Sequence, residues 1–319
     1  MGCGRRGWWL VAVLGWLVGC GRPNQVSFQF KPPTGKAFEE FSTVEEVFSR
    51  QGLAELTRSV KLVERARTEV RELDSWKTAT CSKPSVVTLD VDGKKLPEWN
   101  PLVQVLLANE RCAATYSDGS VVELTGFESS AIATRDAAGY QPVNAERLPF
   151  RLRDLEMVTA ASWKSRVELL VNRQLKQGES FQAAGPVAFW AGLALPVAQQ
   201  TRFKDWADCP VGERHCLELE VTLASYPDTL DSDRPKLEGS VAAAFGVPKR
   251  DVYIRSLEAS GKATRLVDPA SLVEYRHQGE VKLTVQFQLA GFPEATVELT
   301  RTETRSLQPL GKAADSGER

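Results

Sequence analysis

The sequence predicts an α+β protein in which mostly antiparallel, curved sheet packs against one or two helices. Three observations favour this class. Apolar and polar residues alternate along several segments, two Asp-Gly dipeptides separate β-rich stretches, and two other stretches carry apolar residues at helical spacing. Alternation buries one face of a strand and exposes the other, as in antiparallel sheets covered on one side. The sequence therefore indicates sheet faces that helices have to cover.

The strand pattern is clearest in the last third of the chain. Apolar residues occupy every second position from Leu217 to Leu223 and from Val281 to Phe287, and Val297 with Leu299 continues the pattern opposite Glu298. Acidic, basic and threonine side chains fill the positions between them. Each segment is therefore predicted as a half-buried strand.

Two tight turns are predicted in the first half. Val87 to Val91 alternates in the same way and ends at Asp92-Gly93, and Asp118-Gly119 separates two further short β-rich segments. Both residues of an Asp-Gly pair accept positive φ, which hairpin turns require. An antiparallel meander is expected here.

Helices are predicted at 42–72 and 148–176. From Ala37 to Leu73 apolar residues recur every three or four positions, and Ser42 with Glu45 has the spacing of a capping box. For Arg58 to Leu73 a strand remains an open alternative, because apolar residues alternate with charges there and several are β-branched. The second helix is expected to break near Trp163 and to end before Gly178.

The first twenty residues have the organisation of an export signal. Arg5 and Arg6 precede a short apolar core, which ends at Leu17-Val18-Gly19-Cys20. These four residues resemble the lipobox of bacterial lipoproteins, the substrates of signal peptidase II. The resemblance implies that Cys20 carries a diacylglycerol, that the new amino terminus is acylated, and that the mature protein starts at Cys20. An ordinary secretory signal cut near Gly19 or Gly21 is the alternative.

This resemblance sets an expected location and a division of the chain. It implies a protein of the bacterial cell envelope held to a membrane by lipid, and the absence of aspartate after Cys20 favours the outer membrane. We expect a signal peptide (1–19), a lipidated tether (20–36), an α+β half (37–140), a β-rich half with a covering helix (141–307) and a disordered tail (308–319).

The mature chain has a small negative net charge. Removal of residues 1–19 lowers the number of Lys and Arg residues from 40 to 38, against 41 Asp and Glu, which gives a net charge of −3. This charge does not favour nucleic acid as a partner.

The remaining cysteines are expected to form two disulfides. An exported chain matures in an oxidising compartment, and four cysteines remain besides Cys3 and Cys20. Loop-closure entropy favours the local pairing, Cys81 with Cys112 and Cys209 with Cys216. The spacing of the second pair lacks the short separation of zinc ligands, so no metal site is predicted.

Catalytic signatures are mostly missing from the sequence. The chain has two histidines, His215 and His277, and lacks the common hydrolase, metalloprotease and nucleotide-binding motifs. We therefore assign no catalytic residue and no cofactor, and expect a protein that is not an enzyme. A hydrolase that uses carboxylates is the less favoured alternative.

A cluster of aromatic residues is the candidate ligand-lining feature. It lies within 26 residues beside an apolar stretch and consists of Phe181, Phe189, Trp190, Phe203 and Trp206. These side chains either line a pocket or fill the core.

One-sided strands with a covering helix also resemble the half-barrel carriers of the periplasm, the LolA- and LolB-like lipoprotein carriers. The leading hypothesis is a lipoprotein that binds an apolar ligand or an envelope protein, and the alternative is a structural or assembly role in an envelope complex.

Overall fold

A computed structural model of the protein describes most of the chain after the first twenty-three residues. The described ranges are 24–52, 55–95, 100–127, 152–190, 193–210, 215–225, 234–235, 237–239, 241–242 and 247–310. Within them lie thirteen strands, the α-helices Asn100–Ala108 and Leu152–Trp163, further helical residues at 234–235, 237–239 and 241–242, a π-helical turn at Lys164–Glu168 and a short 3-10 turn at Lys249–Asp251. The strands are β1 (Gln25–Ser27), β2 (Ala37–Gln51), β3 (Leu56–Asp74), β4 (Lys77–Val91), β5 (Arg111–Tyr116), β6 (Val121–Thr125), β7 (Gln174–Lys176), β8 (Ser180–Phe189), β9 (Leu193–Asp208), β10 (His215–Ser225), β11 (Val252–Val267), β12 (Glu274–Leu289) and β13 (Glu294–Pro309).

Eleven strands form one antiparallel sheet, in the order β6-β5-β4-β3-β2-β13-β12-β11-β10-β9-β8. The remaining two, β1 and β7, pair with each other. The last strand, β13, pairs with β2 along nearly its whole length, so strands of both predicted halves share the same sheet. The predicted boundary between the halves, at residues 140–141, lies outside the described residues. The predicted fold class, mostly antiparallel sheet packed against helices, is confirmed.

The helix predicted over 42–72 is wrong. This part of the chain forms β2 and β3, and the strand alternative for Arg58 to Leu73 is correct. Along β3 the buried residues are Leu62, Ala66, Thr68 and Val70, all at even positions, as a strand face requires. The apparent helical spacing arises because apolar residues occur on both faces of these strands. Pairing with β13 and β4 on either side then outweighs the local helical pattern.

The second predicted helix is present but shorter. Helix α2 (Leu152–Trp163) runs into the π-helical turn at Lys164–Glu168, and the chain then turns into β7. The break expected near Trp163 is thus a change from α- to π-helical hydrogen bonding. Helix α1 (Asn100–Ala108), which the pattern did not predict, packs against β4. Among the described residues no helix has both the length and the apolar character needed to cross a bilayer.

Helix α2 contacts the two edge strands of the large sheet. It packs against β8 and also touches β6, which stand at opposite ends of the strand order. One helix can reach both edges only if the sheet curls around it. A buried apolar cluster fills the space between helix and sheet and includes Leu155, Val158 and Ala161 of α2 together with Leu62 and Leu89. The sheet therefore has a concave face, and α2 covers it.

The two predicted turns have different outcomes. Asp118-Gly119 connects β5 to β6, and the Asp118 carboxylate accepts the Ser120 backbone N–H at 2.9 Å. Asp92-Gly93 also forms a tight turn with positive φ at both residues, and Val91 and Lys94 exchange backbone hydrogen bonds. After Asp92-Gly93 the next regular element that the structure describes is helix α1, not a long strand.

Both predicted disulfides are present. Cys81–Cys112 joins neighbouring strands β4 and β5, where the two residues are direct cross-strand partners. Cys209–Cys216 closes the connection between β9 and β10. Each bridge therefore lies within one pair of adjacent strands.

Candidate ligand cavity between helix α2 and the sheet

The concave face of the sheet carries charged side chains in its middle. On β13 the alternation that buries Leu299 and Leu307 also turns Arg301, Glu303 and Arg305 inward, since all five have odd numbers. A row of inward-facing polar residues crosses five neighbouring strands in register. This central polar row consists of Arg265, His277, Arg305, Ser42 and Glu64.

Glu46 and Arg301 form a buried ion pair beside this row. They are cross-strand partners on β2 and β13, with 3.3 Å between Oε1 and Nη1. Both carboxylate oxygens of Glu46 also lie 2.9 Å from the backbone nitrogen of Trp190, which donates to them. Burial raises the pKa of Glu46 to about 7, against the lowering effect of Arg301 and the Trp190 N–H.

A second buried group surrounds Glu274. Its carboxylate accepts from Arg265 at 3.1 Å, lies 2.8 Å from Nδ1 of His277 and is 3.9 Å from Arg166. Burial alone would raise the pKa of Glu274, but Arg265, His277 and Arg166 together hold it well below its usual range. Arg265 also donates to the backbone oxygen of Arg166 at 2.7 Å, which ties the π-helical turn to the sheet.

Three adjoining cavities lie between α2 and this charged face. The first, of about 180 Å³, faces β2 to β5, the second, of about 110 Å³, faces β8 to β12, and the third, of about 80 Å³, lies beside the π-helical turn. Arg166 lines all three, and Arg301 with Glu303 lines the first two. The π-helical turn therefore places one arginine where the cavities meet. Such turns inside helices are frequent at functional sites.

The cavities are lined by both apolar and polar side chains. Helix α2 contributes apolar residues such as Val158 and also the polar side chain of Ser162. The strands contribute the central polar row together with apolar residues such as Leu62 and Val281. Each cavity has room for several water molecules. Each is also smaller than the ~300–1,000 Å³ of typical sites for drug-sized ligands. The mixed lining suits a small ligand that has both apolar and polar groups.

The structure brings one of the five predicted ligand-lining aromatics to these cavities. Trp190 lines the first cavity, and the Arg301 guanidinium lies 5.6 Å from the centre of its ring. Phe203 and Trp206 pack in one core cluster, with half-buried Phe181 against it, and Phe189 packs in another. The clustering in sequence therefore does not correspond to one surface in space.

The histidines and cysteines occupy ordinary structural positions. His277 is held by Glu274 and lines the second cavity, while His215 starts β10 with its side chain 46% exposed. Within the described part of the chain, Cys81, Glu110 and Cys112 lie close enough together to hold a metal ion. The two sulfur atoms of this group are joined as a disulfide, so the residues do not fit a metal site.

Comparison with known proteins gives only distant likenesses. No protein-family model and no curated protein matches the chain. Among solved structures it is similar to one described as lipid–protein interactions in lipovitellin, with a TM-score of 0.43 and 11% identity over 91% of this chain and 26% of that chain. It is also similar to an outer membrane channel from Pseudomonas putida F1, with a TM-score of 0.18 and 9% identity over 88% and 97% of the two chains. The chain thus spans about a quarter of the lipovitellin chain, and likenesses this weak decide neither fold nor function.

Proposed function

We propose that the protein is a lipid-anchored, non-enzymatic lipoprotein of the bacterial cell envelope that binds an apolar ligand carrying a polar group. The observation that carries the proposal is the set of adjoining cavities between α2 and the concave face of the sheet. Apolar side chains and the central polar row both line this space, as an amphipathic ligand requires. The lipobox-like end of the first segment supports membrane attachment through acylated Cys20.

The pairing of the acidic side chains supports a binding role over hydrolysis. Glu40 is bound by Arg305, Glu64 by Arg111 and Glu303 by Arg301. For Glu303, burial acts to raise the pKa, but Arg301 with His277 and Arg166 holds it below its usual range, so this carboxyl is a poor proton donor. Glu46, whose pKa is raised, lies outside the lining of the three cavities and is held by Trp190 and Arg301.

Ligand entry requires a displacement of α2. The cavities are too small for a drug-sized ligand with α2 in place, and the helix closes them on one side. Polar contacts hold the C-terminal end of this segment: Trp163 donates to the Gly119 carbonyl and Ser165 to the Pro186 carbonyl, both at 2.9 Å, and Arg265 donates to the Arg166 carbonyl at 2.7 Å. The N-terminal part of α2 packs on the sheet through apolar residues such as Leu155 and Val158. A movement of α2 away from the sheet would join the three cavities into one site.

Native mass spectrometry tests the proposed binding. The mature chain with Cys20→Ala, exported behind an ordinary secretory signal peptide, is purified from the periplasm without detergent. We expect a co-purifying apolar mass that disappears after denaturing extraction with organic solvent. A bare protein mass would contradict ligand binding and would favour the role in binding an envelope protein.

A matched pair of variants locates the ligand. Ser162 lines the first two cavities, so Ser162→Phe places a ring in the space and should reduce the ligand-bound fraction at least tenfold. Lys164, two residues further on, is exposed, so Lys164→Phe adds the same ring outside the cavities and should leave the bound fraction unchanged. Equal occupancy in both variants would place the ligand elsewhere.

A further inference from the structure

The hairpin between β3 and β4 ends in an exposed apolar tip. Leu73 is 55% exposed, Trp76 is 71% exposed, and Tyr116 at the end of neighbouring β5 is 44% exposed. The Asp74 carboxylate accepts the backbone N–H of Trp76 at 2.7 Å, which fixes the turn that presents the indole. Exposed side chains of this size are costly in water, and Trp and Tyr suit a boundary between water and an apolar phase.

This tip lies at the end of the molecule where the N-terminal segment runs. Gln25–Ser27 pairs with β7, Gln29 then donates to the Pro269 carbonyl, and Gly35 donates to the Val70 carbonyl on β3. The segment therefore crosses one end of the sheet. From Val70 the hairpin continues six residues to Trp76, or about 20 Å at ~3.3 Å per residue.

The distance from the anchor to this end is limited by chain length. Gln25 is five positions after Cys20, and an extended chain spans at most ~3.6 Å per position, so Cys20 stays within about 18 Å of Gln25. That distance is similar to the extension of the hairpin beyond Val70. A bilayer that holds the acyl chains of Cys20 can therefore meet the hairpin tip as well.

We propose that Leu73, Trp76 and Tyr116 insert into the interface of the membrane that holds the anchor. This inference rests on the lipid anchor of the proposed function. The charges beside the tip are mixed, with Glu72 and Asp74 next to Arg71 and Lys77, so contact does not require anionic lipid. Lys77 lies 5.6 Å from the centre of the Tyr116 ring, where its ammonium can remain in the headgroup layer. Together with the acyl chains of Cys20, this contact of the hairpin tip fixes the orientation of the protein on the membrane.

Fluorescence quenching by lipid tests the contact. Five tryptophans follow Cys20, so Trp99→Phe serves as the wild-type background in every sample. The acylated protein is reconstituted into vesicles of phosphatidylcholine brominated on one acyl chain, and its tryptophan emission is compared with that in unbrominated vesicles. We expect bromolipid to quench part of the wild-type emission, because Trp163, Trp190 and Trp206 are partly or fully buried. Trp76→Phe should remove at least two thirds of that quenching.

A matched control uses an exposed aromatic residue at the other end of the sheet. Phe292 is 54% exposed and lies in the turn between β12 and β13, so Phe292→Ala should keep the wild-type quenching. Quenching that persists in Trp76→Phe, or that is absent from acylated wild-type protein bound to the vesicles, overturns the tip proposal alone. An intact mass without acyl chains, with protein that does not remain on the vesicles, overturns the anchor as well.

Discussion

Glu46 is a carboxyl whose pKa is raised by burial in the folded state. It lies inside the sheet between Arg301 and the Trp190 backbone N–H, and burial raises its pKa to about 7 from an ordinary 4.5. The folded state therefore keeps a proton that the unfolded chain loses. At pH values between these two pKa values the native state binds more protons than the unfolded state. The free energy of unfolding therefore falls as pH rises.

Glu46→Gln should remove this pH dependence. The amide keeps the shape and the acceptor for Trp190 but cannot ionise. Relative to wild type, the free energy of unfolding of the variant should rise between pH 5 and pH 8, by an amount on the order of 3 kcal/mol at ~1.4 kcal/mol per pKa unit. Urea unfolding at both pH values measures the change.

The control for Glu46 is its neighbour on the opposite face of β2. Glu45 is about 39% exposed beside Lys61, so Glu45→Gln should follow the wild-type pH dependence. A parallel pH dependence of wild type and Glu46→Gln would show that Glu46 does not hold a proton in the folded state near neutral pH.

The alternation of residues in the sequence already indicated that charged side chains face the interior. Val297 and Leu299 were predicted to face inward, and continuing the same alternation places Arg301, Glu303 and Arg305 on that face. The alternation along β2 likewise places Glu40 and Glu46 on the inward face. Their role could not be predicted from the sequence, because each charge is tolerated only through a partner on another strand.

At the level of elements, the disulfides are the features that the sequence predicted most completely. Exported chains oxidise their cysteines, and the short connections favour local pairs. The strands β2 and β3 were harder to predict, since apolar residues on both faces imitate helical spacing. Their conformation depends on β13, which pairs with β2 from the far end of the chain.

The two disulfides should contribute unequally to stability. Cys81–Cys112 spans 31 residues and Cys209–Cys216 spans 7. In the chain-entropy account, crosslinking loops of these lengths stabilises by about 4 and about 2 kcal/mol, respectively. The double variant Cys81→Ala with Cys112→Ala should therefore lower the free energy of unfolding more than Cys209→Ala with Cys216→Ala.

Urea unfolding of the two double variants measures this difference. Peptide mapping without reduction, carried out on each variant, serves as the control that the remaining pair has formed. An equal loss in both, or a larger loss for the shorter loop, would be incompatible with the loop-length argument.

For the whole molecule, the proposed lipid anchor predicts where in the cell the protein is found. Cys20→Ala behind an ordinary secretory signal peptide should move the protein from the membrane to the soluble periplasmic fraction, because the proposed attachment is through lipid. Cell fractionation with immunoblotting measures the distribution. Cys3→Ala, within the predicted signal peptide, is the control and should stay in the membrane fraction, whereas retention of the Cys20 variant would exclude the anchor.

The sequence by itself determined the class of the fold, the tight turns and the pairing of cysteines, because these depend on local alternation, on residues that accept positive φ and on short loops. The tertiary structure decided that β2 and β3 are strands, that α2 bridges β6 and β8, and that arginines and glutamates meet beneath it. The physical reason is that these features depend on pairing between strands far apart in the chain. Pairing of β2 with β13 joins the two halves in one sheet, and the proposed ligand would lie on the concave face of that sheet.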